Sequence, residues 1–395
     1  MSHSSHPQNR KEFAILILIL GSITAIGPLG IDMYLPAFSE ITKNFKTHES
    51  DVQLSLSAYF IGLSLSQLLY GPIIDRFGKK PPLFFGLLIF IATSIGCCFT
   101  NNIHELIILR FFQALGACAC MVIPRAIVRD IFSPQESARV FSHLMLVMGL
   151  APILAPLFGT FMLVFFGWKA IFVFLAAFGI LCLAVSQLFL PHTKSANPEE
   201  KISHALKKYW EILQDRNFII CSISGGLTMA GLFAYITSAP FAYLDFFGFS
   251  SRDFSVIFAI NSIGFITVAQ INAYFLKRVS IENAMAKIIY VPAIAGLALI
   301  FIGTNNPTVL PFTITVFIFL ASIGAISPTT TAIALSKQSK HSGSASALLG
   351  AIQFGFATIT SILISGLHDG GLGSMSLVIG ICGILACVFY KFFKN

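Results

Sequence analysis

The strongest constraint on this fold is a series of long apolar stretches, each able to cross a membrane as one helix. An α-helix needs about 20 apolar residues to span a hydrocarbon core of about 30 Å. Twelve such stretches follow one another, at 13–36, 52–74, 82–100, 103–128, 137–165, 168–190, 217–243, 253–276, 284–303, 309–335, 343–367 and 374–393. The sequence therefore predicts an all-α membrane protein with twelve transmembrane helices.

The composition agrees with a membrane protein. Hydrophobic residues make up 56% of the chain and charged residues only 11%, whereas soluble domains are about 25% charged. The eight cysteines all fall in apolar stretches, without the spacing of a zinc site or a secreted disulfide framework, and we interpret them as small packing residues. The first apolar stretch is too long for a removable signal peptide and should stay as an anchor.

The basic residues predict the orientation in the membrane. Twenty of them fall in the ends and loops on one side, and only four, Lys43, Lys46, Lys169 and Arg252, fall on the other. Because basic loops stay in the cytoplasm, both termini should be cytoplasmic. The net charge of +8 is explained by this bias, so we do not expect nucleic-acid binding. The chain also lacks a nucleotide-binding loop, which argues against direct coupling to ATP.

One long polar interval, 191–216, divides the chain into units 1–190 and 217–395, each with six predicted helices. Asn197-Pro198 resembles a helix start, and the apolar residues that follow recur at helical spacing. With Lys201, Lys207 and Lys208 also present, this helix would lie on the cytoplasmic membrane surface. A solvated linker helix is an equally good interpretation.

Asp32 is the one carboxylate within the first apolar stretch. A charge at mid-depth facing lipid costs about 2.5 to 3.5 kcal/mol, so the side chain should face the protein interior or a watery cavity. We therefore interpret Asp32 as a candidate for proton binding. In the alternative, Asp32 lies at the outer interface and marks a helix end, because Pro36 and Glu40 follow closely.

Arg110 is the basic residue inside the fourth predicted helix, about two turns from its outer end. This depth resembles that of Asp32, so the two side chains can meet. A nearby arginine favours the ionised carboxylate, whereas burial favours the neutral acid. We interpret the two residues as a proton-coupling pair, with a static structural ion pair as the alternative.

The turn after the second helix combines glycines with charges at Gly71, Asp75, Arg76, Gly78 and Lys79. Glycines permit a tight turn, and the charges can exchange partners between two helix packings. This segment resembles the loop signature of the major facilitator superfamily, G-x-x-x-D-R-x-G-R/K-K. In that family the aspartate helps to latch two halves of the protein. The resemblance implies that Asp75 pairs with Arg125 or Arg129 and with the helix start near Gly343.

The fifth helix carries Pro152, Pro156 and Gly159, which resemble a motif of antiporters in the same superfamily. Prolines weaken successive backbone hydrogen bonds, and small residues admit a neighbouring helix. The family pattern has glycine where this chain has Ala151, Ala155 and Thr160. Further segments resemble the Bcr/CflA branch of drug:proton antiporters, the bicyclomycin and chloramphenicol resistance type, namely 31–37, 110–116, 125–130, 149–156, 238–241 and 343–350.

The resemblance implies a major facilitator fold of two pseudosymmetric six-helix halves, with substrates bound between them. It implies export of small amphipathic drugs across a bacterial inner membrane in exchange for protons, by alternating access. We expect a monomer in the lipid bilayer, with no cofactor, metal or catalytic residue. Candidates for the drug pocket are chosen for aromatic or polar character within the helices. They are Tyr34, Tyr59, Gln113, Tyr235 and Gln353.

Several alternatives stay open at the level of sequence. A proton-coupled exporter of an endogenous metabolite, such as an amino acid or a peptide, fits the same features. A multispan membrane enzyme should show a metal or nucleophile constellation, but the nine histidines are scattered. A channel would not need the latch or the two pseudosymmetric halves. His143 is a second candidate for moving protons, although a packed neutral histidine is the simpler interpretation.

Overall fold

The computed structural model describes residues 10–132, 134–190, 202–276, 278–305, 307–336, 338, 342–367 and 372–394. These residues form fifteen α-helices, joined by short loops. The helices are α1 Arg10–Asp32, α2 Phe38–Phe45, α3 Glu49–Phe77, α4 Lys80–Cys98, α5 Ile103–Ile131, α6 Pro134–Phe166, α7 Lys169–Phe189, α8 Ile202–Leu213, α9 Arg216–Pro240, α10 Ser251–Phe275, α11 Ile281–Ile288, α12 Tyr290–Thr304, α13 Val309–Leu335, α14 Ser342–Gly366 and α15 Gly373–Lys394.

Twelve segments of the described chain are long and apolar enough to cross a membrane, which confirms the predicted number. Two of them are broken near prolines. The first consists of α1, a 3-10 turn at Leu35–Ala37 and α2, because Pro36 has no N–H to donate to the Asp32 carbonyl. The ninth consists of α11 and α12, because Pro292 likewise cannot donate to the Ile288 carbonyl.

Several helices begin at polar side chains that cap their first turn. The Asn102 side chain accepts a hydrogen bond from the Glu105 N–H, and Asp215, Ser250 and Ser280 act in the same way at α9, α10 and α11. Such caps satisfy backbone donors that the helix itself leaves unpaired. Short capped turns therefore place consecutive helices side by side in the bundle.

Two helix pairs join the first six membrane spans to the last six. The α3 helix packs along α14, and α6 packs along α10. Small residues permit the close approach of α3 and α14: the Ser64 hydroxyl donates to the Ala351 carbonyl at 2.9 Å, and a Cβ added at Gly350 would lie 2.9 Å from the Gln67 Oε1. The buried apolar side chains form two clusters, a large one through the bundle and a smaller one beside α8.

The two ends of the bundle differ. One end, the α2 end, carries α2, the π-helical turn Phe241–Phe246 and the start of α10. The opposite end, the α8 end, carries α8 and the turn between α3 and α4. The division into two six-helix units with a linker remains a prediction.

The α8 helix lies within the predicted linker, of which residues 191–201, including Asn197-Pro198, are outside the described residues. It packs against α3, α9 and α14. Tyr209 and Ile212 are buried there, and the Tyr209 hydroxyl donates to the Leu68 carbonyl of α3 at 3.0 Å. Trp210 is 66% exposed on the other face. The helix is therefore amphipathic, and its apolar face is held by the bundle.

Candidate functional site

The Asp32 carboxyl is buried at the end of α1. Its side chain is only 4% exposed, and no hydrogen bond or ion pair joins it to another described residue. The chain continues through the buried residues Met33, Tyr34 and Leu35, so the end of α1 is not the end of the membrane span. Asp32 thus marks a helix end, as one interpretation held, but it does so in the protein interior.

Arg110 is fully buried in α5 and is held by a chain of polar side chains. Its Nη1 donates to Gln113 Oε1 at 2.6 Å, and Gln113 Nε2 donates to the Ser94 hydroxyl of α4 at 2.6 Å. The Arg110 Nε and Nη2 atoms are buried, and no described residue forms a hydrogen bond with either of them. Gln113, which we considered for the drug pocket, therefore uses both ends of its amide to position Arg110.

Aromatic rings surround the Arg110 guanidinium. Its Cζ lies 4.2 Å from the ring centre of Tyr59, 4.7 Å from that of Tyr34 and 6.0 Å from that of Phe172. The Tyr34 hydroxyl is bonded to the Ser55 hydroxyl at 2.8 Å. A cation over an aromatic face is attracted by the ring quadrupole, which partly offsets the burial of the charge. We call Arg110, Gln113, Tyr34, Tyr59 and Phe172 the Arg110 cluster.

Asp32 and Arg110 do not form the ion pair that we considered. No salt bridge joins these two described side chains. Tyr59 instead contacts the surroundings of both, because its ring covers the guanidinium and its hydroxyl lies against Gly30, two residues before Asp32. A static Asp32–Arg110 ion pair is therefore not present in this structure. Their role in proton coupling remains a prediction.

The remaining pocket candidates lie elsewhere. Tyr235 is buried in α9, where its hydroxyl accepts a hydrogen bond from Asn261 Nδ2 of α10 at 2.8 Å and its ring stacks on Phe258. Gln353 is half-buried in α14. Within the described residues, no hydrogen bond or ring contact joins either residue to the Arg110 cluster. The structure therefore does not join all five candidates in one network.

The structure adds residues that the sequence analysis missed, namely Ser55, Ser94, Phe172 and Asn261. Asn261 could have been found, because an amide within an apolar helix needs a hydrogen-bond partner. Phe172 carried no signal, because it is one of 40 phenylalanines. The two serines could not be distinguished from serines that bond to their own helix, since such bonds are common in this chain.

The predicted latch lies at the α8 end. Gly78 adopts a left-handed backbone with φ of 75°, as the tight turn after α3 requires. Lys79 is buried and forms an ion pair with Asp130 near the end of α5. The side chains of Asp75 and Arg129 lie outside the described residues, so their predicted pairing stays a prediction.

The other members of the predicted latch are exposed or contact α8. Arg76 is exposed, with its Cζ 5.3 Å from the ring centre of Phe77, and Arg125 is also exposed. A Cβ added at Gly71 would lie 3.5 Å from the Tyr209 hydroxyl. The turn therefore contacts the linker helix as well as α5. The side chain of His143 lies outside the described residues.

The proline and glycine motif of α6 is used for close packing. Gly159 lies directly against the backbone of Met33, the residue after Asp32, so any larger side chain would collide there. The Ser255 hydroxyl of α10 contacts the Pro156 carbonyl at 3.1 Å and the Thr160 hydroxyl at 2.8 Å. Pro152 also lies inside α6, which continues through both prolines. This motif therefore sets the position of the α1 end and of α10.

Polar contacts close the α2 end of the bundle. The Ser39 hydroxyl of α2 lies 3.1 Å and 3.0 Å from the two carboxyl oxygens of Asp245, and Glu49 of α3 is hydrogen-bonded to the same carboxyl group. Deeper in the bundle, the Ser57 and Ser361 hydroxyls are bonded at 2.6 Å. Side chains of the first six spans thus meet those of the last six along this end.

Comparison with known proteins gives the family. The sequence matches the family described as Major Facilitator Superfamily over residues 20–361. It is 34% identical over 392 residues to the uncharacterized MFS-type transporter YdgK of Bacillus subtilis, with 96% of each chain covered. It is 27% identical over 388 residues to a bicyclomycin resistance protein homolog of Haemophilus influenzae, with 98% of each chain covered.

A third relative matches a shorter part of the chain. The chain is 31% identical over 275 residues to a chloramphenicol resistance protein of Pseudomonas aeruginosa, which covers 68% of this chain and 63% of that protein. The family match extends over most of the helical bundle, and its members are transporters and not enzymes. With its twelve membrane-spanning helices, this chain is a multi-pass membrane protein that belongs to the major facilitator superfamily.

Proposed function

We propose that this transporter exports small amphipathic, drug-like molecules in exchange for protons, with Asp32 as the proton-binding residue. The observation that carries the proposal is the buried Asp32 carboxyl, which has no hydrogen bond or ion pair to the described residues. An ionised carboxylate is costly to bury in this way, and binding a proton removes the charge. Proton binding and release at Asp32 would therefore be linked to changes around it.

Arg110 supports the exchange because it supplies a buried positive charge nearby that is only partly satisfied. Two of its nitrogens have no hydrogen-bond partner in the described part of the chain. A substrate that displaces the packing between Asp32 and Arg110 would allow the carboxylate to ionise near the cation, and the proton would leave. Drug export and proton movement are then coupled through one site.

The orientation follows from the charge bias of the loops. If both termini are cytoplasmic, the α2 end faces outward and the α8 end faces inward. Alternating access would then open the contacts of Ser39 and Glu49 with Asp245 at one end, and rearrange Asp75, Lys79 and Asp130 at the other. We propose residues 1–190 and 217–395 as the two moving units, acting in a monomer within a bacterial inner membrane.

The substrate class is supported by the relatives, two of which are named for resistance to bicyclomycin and chloramphenicol. The Bcr/CflA resemblance of the sequence agrees with these names. Aromatic side chains from the two proposed units contact each other. One example is Phe60 of α3 with Phe233 of α9, whose ring centres lie 4.8 Å apart. Aromatic surfaces of this kind suit flat, amphipathic molecules.

The test combines two measurements on wild type and Asp32→Asn. Purified wild-type protein should release protons when a transported drug is added, and vesicles with an imposed pH gradient should move that drug uphill. Asp32→Asn should lose both responses. Asp253→Asn is the matched control, because it removes an exposed carboxylate at the α2 end. Proton release that persists unchanged in Asp32→Asn would place the proton elsewhere.

A further inference from the structure

The Tyr59 hydroxyl is buried without a hydrogen-bond partner among the described residues, which is unusual for a phenol in a protein core. Tyr59 lies on α3 and is fully buried. The neighbouring Tyr34 hydroxyl, by contrast, is bonded to Ser55. A buried donor without an acceptor is unfavourable, so the packing around Tyr59 must hold it in place for another reason.

Gly30 of α1 creates the space for this hydroxyl. A Cβ at Gly30 would lie 2.6 Å from the Tyr59 hydroxyl oxygen, which is too close for a real side chain. The hydroxyl therefore rests on the α1 backbone two residues before Asp32. On the other side of Tyr59, the Arg110 Cζ lies 4.2 Å from the ring centre. One side chain thus contacts Arg110 and the α1 backbone two residues before Asp32.

We propose that Tyr59 is a positioning residue that links Asp32 to Arg110, by donating its hydroxyl hydrogen to the Asp32 carboxylate when the proton leaves. This inference rests on the proposed function, because it assumes that Asp32 binds the proton. The phenol is the donor and the carboxylate oxygen the acceptor, so no covalent bond changes. The ring at the same time holds the guanidinium, whose charge favours the ionised carboxylate.

The other titratable groups around this contact are few. Tyr59 interacts electrostatically with Arg110, Cys118 and Cys120 of α5 and with Asp32 of α1. Arg110 interacts also with Tyr34 in the turn after α1 and with Cys97 of α4. The described α14 has no acidic or basic residue, and α7 has only Lys169 at its first position. The first three turns of α6 hold its acidic residue, its basic residue and its histidine, which are Glu136, Arg139 and His143. Among the groups of the described residues that act on Tyr59, Asp32 is thus the one carboxyl group.

The experiment measures substrate-induced proton release from purified protein as a function of pH. Tyr59→Phe removes only the hydroxyl. It should move the midpoint of the release profile by about 1 pH unit to higher pH, because the carboxylate loses a charge-assisted hydrogen bond. Tyr70→Phe is the matched control: it lies on the same helix, and its hydroxyl donates to the Leu115 carbonyl of α5 at 3.0 Å. It should lower thermal stability without moving the profile.

A second variant tests the geometry. Gly30→Ala should displace the Tyr59 hydroxyl and move the profile in the same direction, whereas Gly30→Ala added to Tyr59→Phe should move it little further. Such non-additivity is expected for two residues that act through one contact. If the double variant instead showed the sum of the two single shifts, the inference would be overturned. Because Tyr59→Phe and Gly30→Ala should shift the profile in the same direction, either one can test the inference if the other fails to fold.

The outcomes separate the inference from the proposed function. Unchanged proton release in Asp32→Asn would reject the proposed function and the inference with it. Loss of release in Asp32→Asn, together with wild-type profiles in Tyr59→Phe and Gly30→Ala, would reject only the role of Tyr59. A shift in Tyr70→Phe equal to that in Tyr59→Phe would also reject it, because loss of any buried phenol would then suffice.

Discussion

The Ser57 and Ser361 hydroxyls lie 2.6 Å apart, which joins α3 to α14 inside the bundle. Thr237 of α9 donates to the same Ser361 hydroxyl at 3.0 Å. One serine therefore connects three helices at the level below the α2 end. Transport by alternating access would require α14 to separate from α3 here, so this contact should affect the balance between the two states.

Ser361→Ala should weaken closure of the α2 end by about 1 kcal/mol, the typical net value of a buried hydrogen bond. The loss is limited because Ser57 also bonds to the Gln53 carbonyl and Thr237 to the Phe233 carbonyl. The measurement is the distance between spin labels at Asn44→Cys and Thr308→Cys, two exposed positions at this end. A larger population at long distance is expected.

The control for this variant is Ser365→Ala in the same helix, because the Ser365 hydroxyl bonds only within α14. It should leave the distance distribution unchanged. Equal distributions in Ser361→Ala and wild type would show that the shared serine does not hold this end closed.

Lys79 and Asp130 should act as a unit in gating. We expect Lys79→Met and Asp130→Asn each to slow uphill drug transport, and the double variant to be no slower than the worse single one, because the same ion pair is lost. The measurement is initial transport rate in vesicles. Lys80→Met is a control, since Lys80 donates to the Gln187 and Leu190 carbonyls and not to a carboxylate. If the rate reductions of the two single variants multiplied in the double variant, a shared role would be contradicted.

Gly159→Ala should destabilise the protein by about 1 to 3 kcal/mol, as overpacking of a tight contact usually does. The added methyl group would collide with the Met33 backbone, which cannot move as a flexible side chain could. Gly149→Ala on the same helix is the control, because its Cβ would meet only the Ile266 side chain, at 3.1 Å. Thermal unfolding of both variants in detergent measures the difference. Equal unfolding temperatures would refute the close contact.

The predicted orientation can be tested by labelling intact cells with a membrane-impermeant maleimide. Asn44→Cys, in the exposed part of α2, should be labelled in intact cells. Ser336→Cys, just after α13 at the α8 end, should be labelled only after the membrane is opened. The opposite pattern would place both termini outside and reverse the proposed direction of transport.

The sequence by itself determined the architecture in the membrane. Hydrocarbon cannot satisfy backbone N–H and C=O groups, so each long apolar stretch has to become a helix, and counting stretches counts the spans. The breaks near Pro36 and Pro292 did not follow from the sequence alone, because proline removes a backbone donor there but α6 continues through Pro152 and Pro156. The family could also be inferred from the sequence, because the turn at 71–80 carries its motif within one segment.

Only the tertiary structure decided what surrounds Asp32 and Arg110. The Arg110 cluster draws its side chains from α3, α5, α7 and the turn after α1, and no sequence spacing links residues so far apart. The sequence placed Asp32 and Arg110 at similar depth, but depth does not say which faces meet. In the folded protein the Tyr59 ring lies against Arg110 and its hydroxyl lies against Gly30, two residues before Asp32.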